Sequence, residues 1–185
     1  MKSTIRGAVL GLAVAFAAQA AYAQGMSFGV GGGVVIPTGT MSDGNSTGWS
    51  GTAMLRVKPP ASPLGFQVDA FYTQFGLEGG IDGHSRLIGG TANALYAFSS
   101  ASMARPYLIG GVGMYNGQTT IDGLGSSDAQ TKFGINAGAG FDFGLGKANL
   151  FAEGRFHAIM KGVADGSTGE EKTAYMIPLT VGLRF

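Results

Sequence analysis

Tyr175-Met176-Ile177-Pro178-Leu179-Thr180-Val181-Gly182-Leu183-Arg184-Phe185 closes the chain with a strict period of two. Tyr175, Ile177, Leu179, Val181, Leu183 and Phe185 share one face, and Met176, Pro178, Thr180, Gly182 and Arg184 share the other. Successive side chains of an extended chain point to opposite faces, so this pattern predicts a β-strand with one oily side. The stretch before it repeats the division. Phe133, Ile135, Ala137, Ala139, Phe141 and Phe143 oppose Lys132, Gly134, Asn136, Gly138, Gly140 and Asp142, while Leu150, Ala152, Phe156, Ala158 and Met160 oppose Asn149, Glu153, Arg155 and His157.

Working toward the N-terminus, the same reading predicts eight strands, at 26–36, 49–58, 64–75, 86–98, 107–116, 131–143, 149–160 and 173–185. Each is close to the ~9–11 residues of a tilted membrane strand. Glycine recurs too often for stable helix interiors, since each one costs a helix about 1 kcal/mol against alanine. The connections alternate long (37–48, 76–85, 117–130, 161–172) and short (59–63, 99–106, 144–148), which puts both termini at the short-turn end. Asp43, Glu78, Asp82, Asp122, Asp128, Asp165, Glu170 and Glu171 fall in the long connections, whereas the short ones hold Lys58, Arg105 and Lys147.

Two all-β architectures accommodate such a sheet. A soluble sandwich or lipocalin-like barrel turns its apolar face inward, and an outer-membrane barrel turns it to lipid. The second face decides between them. On a water-exposed surface it should be dense in Lys and Glu, but here it is mostly Gly, Ser, Thr, Asn and Ala. Gly29, Gly31, Gly33, Gly110, Gly134, Gly138, Gly140 and Gly182 are expected to make room in a crowded lumen. Aromatic placement agrees: Phe28, Phe66, Tyr96, Phe98, Tyr107, Phe141, Phe143 and Phe185 gather at one rim and Trp49, Tyr72, Tyr115, Phe133 and Tyr175 at the other, as interfacial girdles do. Phe71, Phe75 and Phe151 are the aromatics of inward parity. The fold expected is an eight-stranded antiparallel up-and-down transmembrane β-barrel over residues 24–185.

Residues 1–23 read as an address. Lys2 and Arg6 precede an uncharged run from Gly7 to Ala18, and Ala21-Tyr22-Ala23 presents small residues where a signal peptidase reads. The run is shorter than the ~20 apolar residues of a membrane-spanning helix. Cleavage after Ala23 leaves ten Lys and Arg against eleven Asp and Glu. A chain so close to neutrality carries no electrostatic footprint for nucleic acid. The absence of cysteine among 185 residues removes thiol nucleophiles and zinc ribbons, and only His84 and His157 supply imidazole. No cofactor and no metal site is expected.

The terminal stretch 175–185, with Leu150-Phe151-Ala152-Glu153-Gly154-Arg155-Phe156 one strand earlier, resembles the closing strands of the small bacterial outer-membrane β-barrel family related to the transmembrane domain of outer membrane protein A. The resemblance implies residence in the outer membrane beside lipid and lipopolysaccharide. It also implies that Tyr175, Ile177, Leu179, Val181, Leu183 and Phe185 form the signal read by the barrel assembly machinery. It implies no single activity, because related barrels serve as anchors, adhesins, weak channels and lipid A enzymes.

An eight-stranded barrel is wide enough only for side chains. Arg56, Asp69, Lys132, Asp142, Glu153, Arg155 and Arg184 have inward parity. Buried charges persist when paired, so a salt-bridge network that plugs the lumen is expected. A structural or surface-interaction role follows first, and a narrow ion or small-solute channel second. A lipid A-modifying enzyme needs a serine within reach of a histidine that a carboxylate orients. His157 has Glu153 on its face but no nearby serine, and His84-Ser85 are neighbours in a predicted loop. No enzyme is expected.

Overall fold

The computed structural model describes residues 25–59, 61–77, 79, 82–99, 103–123, 125–160 and 173–185. The expected leader, 1–23, and the acidic residues Glu78, Asp165, Glu170 and Glu171 lie outside them. Nine strands are formed: β1 (Met26–Gly39), β2 (Gly48–Val57), β3 (Leu64–Gly76), β4 (Gly83–Ala97), β5 (Ala104–Ile121), β6 (Gly125–Ser126), β7 (Gln130–Leu145), β8 (Ala148–Ile159) and β9 (Ala174–Arg184). All pairings are antiparallel, in the order β4-β3-β2-β1-β9-β8-β7-β5, and β5 returns to β4 to close the ring. The two-residue β6 is a hairpin extension on β5, outside that ring of eight.

Closure satisfies the backbone without a free edge, which a bilayer demands. The ends are tied by Phe28 and Phe185, each backbone N–H donating to the other's carbonyl at 2.9 and 2.7 Å. Val30, Val34, Leu55, Phe66, Val68, Ile88, Ile135, Leu179 and Val181 all face outward and exposed, the belt that lipid covers. At the rims Trp49 packs on Tyr72 (5.5 Å between centroids), Tyr96 on Phe98 (5.1 Å) and Phe156 on Tyr175 (5.3 Å).

Three expectations need correction. The first three long connections are shorter than predicted because strands run on past the belt: β4 begins at Gly83 and β5 reaches Ile121, its partner. His84 and Ser85 are therefore strand residues, paired with Gly76 and Phe75. The parity of β5 is also reversed. Leu108, Val112 and Met114 face outward, while Tyr107 and Tyr115 are each 1 % exposed and point into the lumen. Lipid takes the face without polar atoms, and the buried phenols find partners inside. Gly110 accordingly lies on the outer face, and Gly111, Gly113 and Gly117 are the lumen glycines of this strand.

Large rings and glycines are complementary across the lumen wall. A Cβ at Gly140 would stand 2.5 Å from Cζ of Tyr107, one at Gly134 would stand 2.9 Å from Cε2 of Tyr115, and one at Gly182 2.6 Å from Cε1 of Phe151. The bare backbone at these places is what lets a ring lie flat inside so narrow a barrel.

Pro178 occupies a strand interior, where it lacks the N–H a ladder needs. Toward β1 the pairing continues, with Val35 opposite Pro178. Toward β8 it is interrupted: Gly154 pairs with Leu179 and His157 with Met176, and Arg155 and Phe156 between them have no ladder partner on β9. The register is the same on both sides of the gap, so the proline removes a bond without shifting the strand.

Candidate functional site in the barrel lumen

The lumen charges stand on alternate positions of five strands. Arg56 comes from β2, Asp69 from β3, Asp142 from β7, Glu153 and Arg155 from β8, and Arg184 from β9; all except half-buried Asp142 are buried. One connected network holds them. Asp142 accepts from Arg184 Nη2 at 2.6 Å and Arg56 Nη1 at 3.0 Å. Arg56 Nε donates to Gln67 Oε1 at 2.6 Å, and Gln67 Nε2 donates to Asp69 Oδ1 at 2.7 Å. Asp69 also accepts from Arg155 Nη1 at 2.9 Å, Asn93 Nδ2 at 2.7 Å and Thr91 Oγ1 at 3.0 Å. Arg155 Nε donates to Glu153 Oε1 at 2.6 Å, whose Oε2 accepts from the Tyr107 hydroxyl at 2.8 Å. The Arg56 guanidinium lies 4.5 Å over the Tyr107 ring.

Three arginines and three carboxylates thus neutralise one another, as charges withdrawn from water must. Lys132, the seventh inward charge, is not brought to them. It lines the outer mouth, makes no ion pair among the described residues, and sits in an open vestibule of about 480 Å³. Gln67, Thr91, Asn93 and Tyr107 belong to the network although the sequence reading did not include them. For the first three, inward parity and polarity were the available signal; for Tyr107, the wrong parity concealed it.

An apolar layer lies across the lumen above the network. Val35, Phe75, Leu87, Tyr115, Ile159 and Met176 pack there as one cluster, joined by Phe71 and Met41. Between this layer and the charges, the internal space is about 40 Å³, bordered by Ser50, Thr73, Arg155, His157 and Pro178. That is room on the scale of a water molecule.

His157 is 3 % exposed and lies within this filling. Its Nδ1 is 2.8 Å from the Tyr115 hydroxyl, and its ring meets Phe71 edge-on at 6.1 Å. Ser85, on β4 and three strands round the ring from His157, is hydrogen-bonded to Thr119 at 3.0 Å. Among the described residues no three His, Asp or Glu side chains gather as a metal ion would require.

The six residues of the terminal strand place Leu179, Val181, Leu183 and Phe185 on the exposed outer face, with Tyr175 and Ile177 partly covered by their neighbours.

A family model for the outer membrane protein beta-barrel domain matches residues 7–185 of the chain. Among solved structures, Neisserial surface protein A is similar at 22 % identity over 86 % of this chain and 96 % of that one, with a TM-score of 0.64. A major outer membrane protein from Thermus thermophilus is similar at 12 % identity over 86 % of this chain and 98 % of that one, with a TM-score of 0.55. No curated protein sequence matches.

Proposed function

The chain belongs to the outer membrane protein beta-barrel domain family, and on that premise we propose that it serves a structural or surface-interaction role through a barrel whose lumen is filled. It resides in the bacterial outer membrane. The observation that carries this reading is the double closure of the lumen. The ring of paired charges and the apolar layer around Phe75 and Met176 lie in series. What the barrel offers to partners is then its strand extensions and loops, beside lipid and lipopolysaccharide.

A filled lumen argues against the channel reading, and the burial of His157 against Tyr115 argues against lipid A chemistry, where a histidine must meet substrate. Both are tested on one refolded sample, in planar bilayers for current and with lipid A for acyl release. The expected outcome is no defined single-channel step and no turnover. A stable open level in the unaltered protein would return the channel to first place, and released acyl chains would establish an enzyme.

The same reading includes removal of residues 1–23 and recognition of the strand ending in Phe185 by the assembly machinery. N-terminal sequencing of the membrane-inserted protein is expected to begin at Gln24. Phe185→Ser is expected to lower the inserted fraction in cells while leaving refolding into detergent intact.

A further inference from the structure

The barrel end that carries Gly25 and Phe185 opens into a pocket of about 670 Å³. Arg56, Lys58, Arg105 and Arg184 line it, and among the described residues Asp142 is the one carboxylate that does. Asp142 is already shared between two guanidiniums. Arg184 Nη1 and Arg56 Nη2 are buried without a hydrogen-bond partner among the described residues, and Arg56 Nη2 stands 4.0 Å from Glu153, beyond hydrogen-bond reach. Buried guanidinium nitrogens rarely stay unpaired, because each forfeits its solvation. Lys58 and Arg105 are exposed at the same mouth, where the Arg105 side chain donates to neutral Asn149 at 2.9 Å.

From the exposed cations Lys58 and Arg105 at the mouth of this arginine-lined pocket we infer that it binds a phosphate group. Planar guanidiniums suit phosphate and carboxylate oxygens alike. Arg56 and Arg184 are balanced within the network, and the two cations left over, Lys58 and Arg105, exceed what one carboxylate would neutralise, which favours phosphate. One wall continues onto Tyr96 and Phe98, a T-shaped pair at the lipid rim, so a phosphate could arrive either free in solution or as the headgroup of an anionic phospholipid. This site is independent of whether the lumen conducts.

The test uses the refolded protein in non-ionic detergent, following the amide resonances of Lys58, Arg105 and Arg184 by NMR. Inorganic phosphate is expected to shift them saturably, and chloride at matched ionic strength is not. The double variant Lys58→Gln, Arg105→Gln, altered only at exposed positions, is expected to keep its fold and lose affinity about tenfold. In phosphatidylcholine nanodiscs with and without phosphatidylglycerol, reproduction of the shifts by the anionic lipid, and its competition with phosphate, would identify the headgroup as the source. Shifts produced by free phosphate alone would identify the soluble anion. An unsaturable response, an equal response to chloride, or unchanged affinity in the double variant would overturn the assignment.

Discussion

Arg155 and Asp69 meet across the full width of the barrel, Nη1 to Oδ2 at 2.9 Å and Nη2 to Oδ1 at 3.3 Å. Their strands, β8 and β3, are four steps apart in either direction around the ring of eight. Arg56 on β2 and Asp142 on β7 are related in the same way. The two pairs therefore act as cross-braces between opposite walls.

Removing one end of a brace should cost more than the contact itself. Asp69→Asn leaves Arg155 with Glu153 alone and weakens the acceptance from Gln67, Thr91 and Asn93. Breaking a buried pair on one side typically costs about 3–5 kcal/mol, and urea unfolding in lipid is expected to show a loss in that range. A midpoint equal to that of the unaltered protein would show the braces to be hydrated.

Lipid and lumen faces should respond differently to charge. Leu179→Arg or Ile135→Arg puts a guanidinium in the belt and is expected to destabilise by about 2–4 kcal/mol near the midplane. Thr180→Arg, one residue along, crowds the lumen beside Gly33 and Glu153 instead. Its effect should depend little on bilayer thickness, which the same titration in two lipid lengths measures.

The glycines that seat aromatic rings should be intolerant where a strand glycine with open space beside it is not. Gly140→Ala pushes a methyl into the Tyr107 ring, and overpacking of this kind costs roughly 1–3 kcal/mol. At Gly51 a Cβ meets nothing within 4 Å, so Gly51→Ala is expected to be neutral or to add about 0.5–1 kcal/mol through lower chain entropy. Equal losses at both positions would contradict the ring-and-glycine packing.

Restoring the missing ladder bond should tighten the β8–β9 seam. Pro178→Val supplies an N–H opposite Arg155 and is expected to add about 0.5–1.5 kcal/mol, the net worth of one hydrogen bond. The group left unpaired in the unaltered protein is the Arg155 carbonyl, so the new amide at position 178 in Pro178→Val is expected to exchange slowly. Fast exchange at that amide would mean that no bond forms across the gap.

The chain alone determined the class of the fold. In β7, and in β8 and β9 apart from Phe151, Ile159, Met176 and Pro178, one face is aliphatic or aromatic and the other small, polar or charged, so parity could be read from composition, and the inward charges with it. Gln67 and Asn93 were equally legible as inward polar residues, but nothing local marks them as links between Arg56 and Asp69. In β5 both faces carry apolar residues and glycine, and local pattern cannot say which one lipid covers. Ring closure decided that, because the Tyr107 and Tyr115 hydroxyls reach Glu153 and His157 only from inside. It also decided which charges meet: Asp69 and Arg155 are 86 positions apart in the chain, and only the strand order and register of a closed barrel bring them to one height. Lys132 shares their parity, but stands higher on its strand, where the lumen has already opened into the vestibule. Parity is a local property of the backbone pleat, whereas height and angle around the ring are set by every pairing at once.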